Sequence, residues 1–262
     1  MKKIYPMAVL VCFSILLAAS CNLSSLNDPI VVPDVEDEFY LELWESFSAQ
    51  GRQLEWKLRT IEPVDCEDAL ISFSFTQRAG QELALSINEI VSPGDCVPPG
   101  APAAATVEVG ALPNGDYPVS VALRATVSRE GELSVSQDLY QIEVATGGGI
   151  IPLRNELHRI PEGTIWGYAS YSPDRAVAQA FEDELRALSS SQGLALGYYG
   201  YFRVEPGELE ILGAGQPAEG AVVFQRQLEA ANRDAVVSLI ESYRANYPDI
   251  TIAVWNTLGE TW

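Results

Sequence analysis

From Glu38 to Thr146 apolar residues recur at every second position, and a chain patterned this way is suited to strands that bury one face and solvate the other. Phe39/Leu41/Leu43, Leu54/Trp56/Leu58, Ile71/Phe73/Phe75, Leu83/Leu85/Ile87, Val107/Val109, Tyr117/Val119/Val121/Leu123 and Tyr140/Ile142/Val144 alternate with polar or small neighbours. About seven strands are expected, at the spacing of an all-β sandwich, with no helical stripe among them. Gln77-Arg78-Ala79-Gly80 reads as a hairpin turn inside this region.

Thr146-Gly147-Gly148-Gly149 is the strongest breaker in the chain, and the rhythm changes after it. Thr164 to Tyr171 reads as a strand. Ser172-Pro173-Asp174 then supplies an N-cap, a proline at the first helical position and an acid in the first turn. Val177, Phe181, Leu185 and Leu188 follow at helical spacing, and Gly193 stops the helix. Strands are expected over Leu194–Val204, Ala221–Leu228 and Asp249–Asn256, with a second helix from about Asn232 presenting Val236, Leu239, Ile240, Tyr243 and Tyr247. The order βαββαβ resembles the ferredoxin-like arrangement, whose four-stranded sheet carries both helices on one face. Alternation then directs Ile165, Val222, Phe224, Ile250, Ile252 and Val254 toward the helices. It leaves Trp166, Tyr168, Tyr199, Tyr201 and Trp255 on the far side, as a candidate binding face for a protein, peptide or glycan, or as a surface that packs on the first domain.

The leader carries an address. Met1-Lys2-Lys3 precedes an apolar run from Met7 to Ala19, interrupted by Ser14, whose 13 residues reach about 20 Å as a helix and fall short of a bilayer core. A cleaved export signal fits that length. Leu17-Ala18-Ala19-Ser20-Cys21 resembles the lipobox of bacterial lipoproteins, with Ala18 where the motif usually has Leu and Leu17 one place further out. That resemblance implies a diacylglyceryl group on the Cys21 sulfur, cleavage before Cys21, and attachment to a membrane through several acyl chains. In Gram-negative lipoproteins, Asn22 directly after the cysteine implies the outer membrane. Ala111 to Val119, with Asn114-Gly115 ahead of Tyr117, resembles the tyrosine-corner region of immunoglobulin-like and fibronectin-type sandwiches, in which the phenol bonds back to the preceding loop.

The resulting organisation is a signal peptide (1–20), a polar tether (21–36), an immunoglobulin-like β-sandwich (37–147), a linker (148–163) and a ferredoxin-like α/β domain (164–262), an α+β chain overall. With the leader removed and Cys21 lipidated, Cys66 and Cys96 remain and can pair. Their loop of about 30 residues corresponds to about 3–4 kcal/mol in the chain-entropy model.

Against 16 Lys+Arg stand 36 Asp+Glu, a formal charge of −20, which argues against a nucleic-acid partner even though RNA-recognition domains share the βαββαβ order. Lysine occurs only at positions 2, 3 and 57, and His158 is the one histidine, so neither a histidine-based metal site nor a Ser/His/Asp relay is indicated. The acids Asp34, Glu36, Asp37 and Glu38 form a run without the spacing of a calcium loop. No cofactor, metal or catalytic set is selected. The expectation is a lipid-anchored envelope protein acting as a binding or assembly module without catalysis; the alternative is an envelope hydrolase using a carboxylate pair.

Overall fold

The alternating half forms β1 (Phe39–Ser48), β2 (Gly51–Thr60), β3 (Leu70–Gln77), β4 (Leu83–Val91), β5 (Ala104–Gly110), β6 (Gly115–Leu123), β7 (Val127–Val135) and β8 (Leu139–Val144). The protein is represented by a computed structural model that describes residues 38–78, 81–92, 94, 100–124, 126–145, 148–213 and 217–262. Residues 148–163, a linker by the sequence pattern, carry β9 (Ile150–Pro152) and β10 (Glu156–His158), and both join the sheet.

The strands lie in the order β10-β8-β7-β6-β4-β3-β5-β2-β1-β9. The sheet is mixed: β1–β9, β3–β5 and β4–β6 are parallel pairs and the others antiparallel. It curls, so that Tyr140 on β8 donates a hydrogen bond to Glu45 on β1 although those strands are near opposite ends of the order. The concave face is one core to which every strand contributes, from Phe39, Leu41 and Leu43 on β1 through Trp56, Ile71, Leu85, Val107, Val119, Leu133 and Ile142 to Ile150 and Leu157. The Tyr117 hydroxyl donates to the Pro113 carbonyl at 2.8 Å, a local tie across four residues that this sheet supports as well as a sandwich would.

The second half contains β11 (Thr164–Ser170), α1 (Arg175–Leu188), β12 (Gly197–Tyr198), β13 (Phe202–Glu205), β14 (Glu208–Ile211), β15 (Val222–Gln227), a 3₁₀ turn (Ala230–Asn232), α2 (Arg233–Asn246) and β16 (Thr251–Asn256). Asp174 caps α1 by accepting from the Ala176 N–H at 2.8 Å, two residues later than the Ser172 expected from the sequence. β11 lies between β15 and β16, antiparallel to both. Ile165, Val222, Phe224, Ile250, Ile252 and Val254 face the helices and pack with Phe181, Leu185, Val236 and Ile240 in a second core, as alternation directs.

The expected fold class is corrected in both halves: the chain is mostly β, with one ten-stranded curled sheet and no ferredoxin-like βαββαβ domain. Alternation fixes which side chains are buried, and it leaves open which strands pair and how far the sheet curls. In the second half two glycines decide. Gly197 and Gly200 take φ of +145° and +82°, conformations that glycine tolerates best, and they break the expected Leu194–Val204 strand. The chain there forms a separate three-stranded meander, β12-β13-β14, turned at Pro206-Gly207 between Glu205 and Glu208. All the described elements belong to one compact unit, Val35–Trp262; the other unit, Met1–Asp34, lies outside the described residues.

Candidate functional site

The five aromatics of the candidate face are placed in two groups. Trp166 and Tyr199 are buried in a third core with Ile160, Phe202 and Ile211, and Tyr201 packs against it. The meander closes over that side of β11: the Trp166 ring lies 5.1 Å from Tyr201 and 5.8 Å from Phe202, and Tyr199 stacks on Phe202 at 4.9 Å. From the large sheet, Trp44 meets Tyr201 at 4.8 Å and Phe47 meets Trp166 at 6.0 Å. Tyr168 and Trp255 sit apart as a pair at 6.2 Å, the first buried and the second partly exposed. These rings therefore mostly fill the space between layers. Burial pushes the Tyr199 phenol up to about 12, so it stays protonated at neutral pH and donates to the Ala195 carbonyl.

His158 stacks on Tyr199 at 5.0 Å, and a Cβ on Gly197 would lie 2.5 Å from its ring, so that glycine makes room for the stack. Glu38 forms a two-point pair with Arg124 at 2.9 and 2.7 Å. Asp34, Glu36 and Asp37 lie outside the described residues, as do Cys21 and Cys96. Cys66 is buried in the first core, and its pairing with Cys96 stays a proposal.

A fully buried carboxylate joins the layers. One Glu45 oxygen accepts from Arg52 Nη1 at 2.7 Å and from the Tyr140 hydroxyl at 3.1 Å, and the other accepts from the Ile160 N–H at 3.1 Å. Arg159 Nε lies 3.9 Å from the carboxylate, and Arg52 also donates to the Ile160 carbonyl at 2.6 Å. Both oxygens of this acid are engaged, so the carboxylate reads as a structural clasp.

Open chemistry lies instead on the convex side of β1 and β2. A groove of about 440 Å³ runs over Tyr40, Glu42 and Trp44 of β1 and Lys57 and Arg59 of β2, between Ala104–Thr106 on β5 and Arg154, Tyr198 and Gly200. Cross-strand register sets Tyr40 opposite Arg59 and Glu42 opposite Lys57. Three cations are each held over an aromatic ring: Lys57 Nζ is 3.1 Å from the Trp44 centroid, Arg154 is 4.1 Å from that of Tyr198, and Arg59 is 5.1 Å from that of Tyr40. A ring positions a cation through its quadrupole without cancelling its charge.

Arg154 is additionally paired with Glu42 at 2.7 Å, and the same Glu42 oxygen accepts from the Tyr198 hydroxyl at 2.7 Å. Lys57 and Arg59 differ: neither has a carboxylate within 4.0 Å among the described residues. Burial holds the Lys57 amine below its ordinary 10.5, opposed by the more distant charges of Glu55 and Glu42. Its hydrogen-bond donors border the groove and meet no acceptor among the described residues, which suits an incoming anion or hydroxyl.

Sequence alone does not single out this site, because Glu55-Lys57-Arg59 is the outward half of an alternating strand and looks like any solvated face. The available signal is the single lysine beyond the leader, two residues from an arginine on the same face. Arg154 and Tyr198 come from distant segments and join only in the fold. Compared with protein-family models, with curated proteins and with solved structures, the chain finds no match.

Proposed function

We propose that this chain is a lipid-anchored protein of the cell envelope, held at the outer membrane, that works as a binding module without catalysis and receives an anionic ligand in the groove over β1 and β2. The observation that carries the reading is the pair Lys57 and Arg59, two cations side by side with no carboxylate within 4.0 Å among the described residues of a chain whose formal charge is −20. With 36 acids against 16 bases, two cations with no carboxylate in direct contact are what a site kept for an external anion would need. The anchor rests on the lipobox resemblance at Cys21 and would hold this groove at a membrane surface.

Each half of the reading has its own measurement. Because Lys57 lies on the Trp44 ring, citrate added at low ionic strength is expected to change tryptophan emission with saturation. The double variant Lys57→Met/Arg59→Gln is expected to weaken that response by about tenfold or more, the size of one charge-assisted hydrogen bond. The same response should fade as salt screens the groove. An identical titration for wild type and variant would remove the groove from the reading. For the anchor, Cys21→Ala is expected to shift the protein from the membrane pellet to the soluble fraction; undiminished sedimentation with membranes would contradict lipidation.

A further inference from the structure

The cations enter the groove from two sides. Arg154 follows β9, which pairs with β1 on the side away from β2, so Arg154 and the Lys57/Arg59 pair flank β1 from opposite sides. Strands are spaced about 4.8 Å apart, so the backbones on either side of β1 stand about 10 Å from each other. Lys57 and Arg59 are themselves two residues apart on one strand, about 7 Å. A ligand that meets both flanks has to span β1. Between them stands Glu42, opposite Lys57 in the register and bonded by Arg154 and Tyr198. A compact polyanion would place charge against that carboxylate, whereas a hydroxyl would donate to it. Past Lys57 and Arg59 the floor carries Thr106 and Ala104, whose side chains are small.

Negative groups at the two flanks and hydroxyls at the centre are the pattern of a sugar chain bearing carboxylates. We infer that the groove binds an acidic oligosaccharide of the uronate type, one carboxylate meeting Lys57 and Arg59, another meeting Arg154, and ring hydroxyls donating to Glu42. This rests on the anion-binding reading above and adds its ligand class. The three rings are already covered by cations, so recognition proceeds through charge and hydroxyl contacts, with no sugar face stacked on an open aromatic.

The test titrates the full chain with three probes in the same buffer: a tetragalacturonate, a neutral maltotetraose and citrate. Tetragalacturonate is expected to bind at least about tenfold more tightly than either of the others. Lys57→Met/Arg59→Gln is expected to reduce its affinity by a similar factor at an unchanged thermal midpoint, since methionine keeps an apolar stem on Trp44. Arg175→Gln, an exposed cation at the start of α1 and outside the groove, should leave binding as in the wild type. If citrate binds as tightly as the tetrasaccharide, the acidic-glycan inference fails while anion binding stands. If maltotetraose binds as tightly, or if no probe binds, or if the double variant binds all three unchanged, both readings fail.

Discussion

Replacing Glu45 with alanine is expected to lower the free energy of unfolding by about 3–5 kcal/mol, the cost of breaking a buried ionic cluster from one side. The methyl group would leave Arg52 without its 2.7 Å partner and Arg159 without its nearest acid, and would strand the Tyr140 hydroxyl and the Ile160 N–H. Urea denaturation measures the loss directly; a change below about 1 kcal/mol would show that the clasp does not hold the layers. Glu45→Gln, which keeps the shape and one acceptor, is expected to cost less. The pH dependence follows from burial, which raises the Glu45 carboxyl above its ordinary 4.5 against the opposing charge of Arg52. Between the unfolded and the native values the native chain binds more protons, so this residue contributes most below 4.5 and less as the pH climbs through the raised value. The margin of wild type over Glu45→Gln should therefore narrow with rising pH, and a widening margin would reverse the assignment.

Trp166→Ala is the second large effect, about 3–5 kcal/mol for removing a buried indole. Its ring is 1% exposed and touches Phe47, Tyr201 and Phe202, so the cavity would open where the meander, the three-stranded sheet and the large sheet meet. Hydrogen exchange should then accelerate across Gly197–Ile211 more than across β3–β7, whose core does not include Trp166. Uniform acceleration through both regions would mean that Trp166 stabilises the unit as a whole and does not specifically hold the meander. The result also bears on the aromatic face, since rings that fill an interior change stability when truncated and rings that wait for a ligand do not.

How far the sequence is legible depends on the range of the interaction that decides each feature. Alternation places Leu54, Trp56 and Leu58 inside and sorts Ile165 and Val254 toward the helices, because a two-residue period is a local property of any strand with one wet face. Strand order is not legible: β4 pairs in parallel with β6, and β1 with β9, through contacts that no local pattern encodes. Tyr199 and Tyr201 look continuous with a strand in the sequence, where Gly197 and Gly200 show only a missing side chain; the positive φ of those glycines, which ends the strand, is visible only in the fold. The groove is hidden for a related reason. Lys57 and Arg59 take on meaning only when Arg154 and Tyr198 arrive beside them, and the sequence records neither that meeting nor that no carboxylate among the described residues lies within 4.0 Å of the pair.

The pairing of Phe39 with Ile150 means that the first strand waits, unpaired on one edge, until the segment directly after the glycine run has been made. The same holds for β8, whose outer edge is covered by β10. A stop codon placed at that glycine run would yield a fragment with raw backbone amides and carbonyls along both borders of the sheet, and with Glu45 facing neither Arg159 nor the Ile160 N–H. Such borders join to one another. The short return through residues 150–160 thus serves as the hem of the sheet.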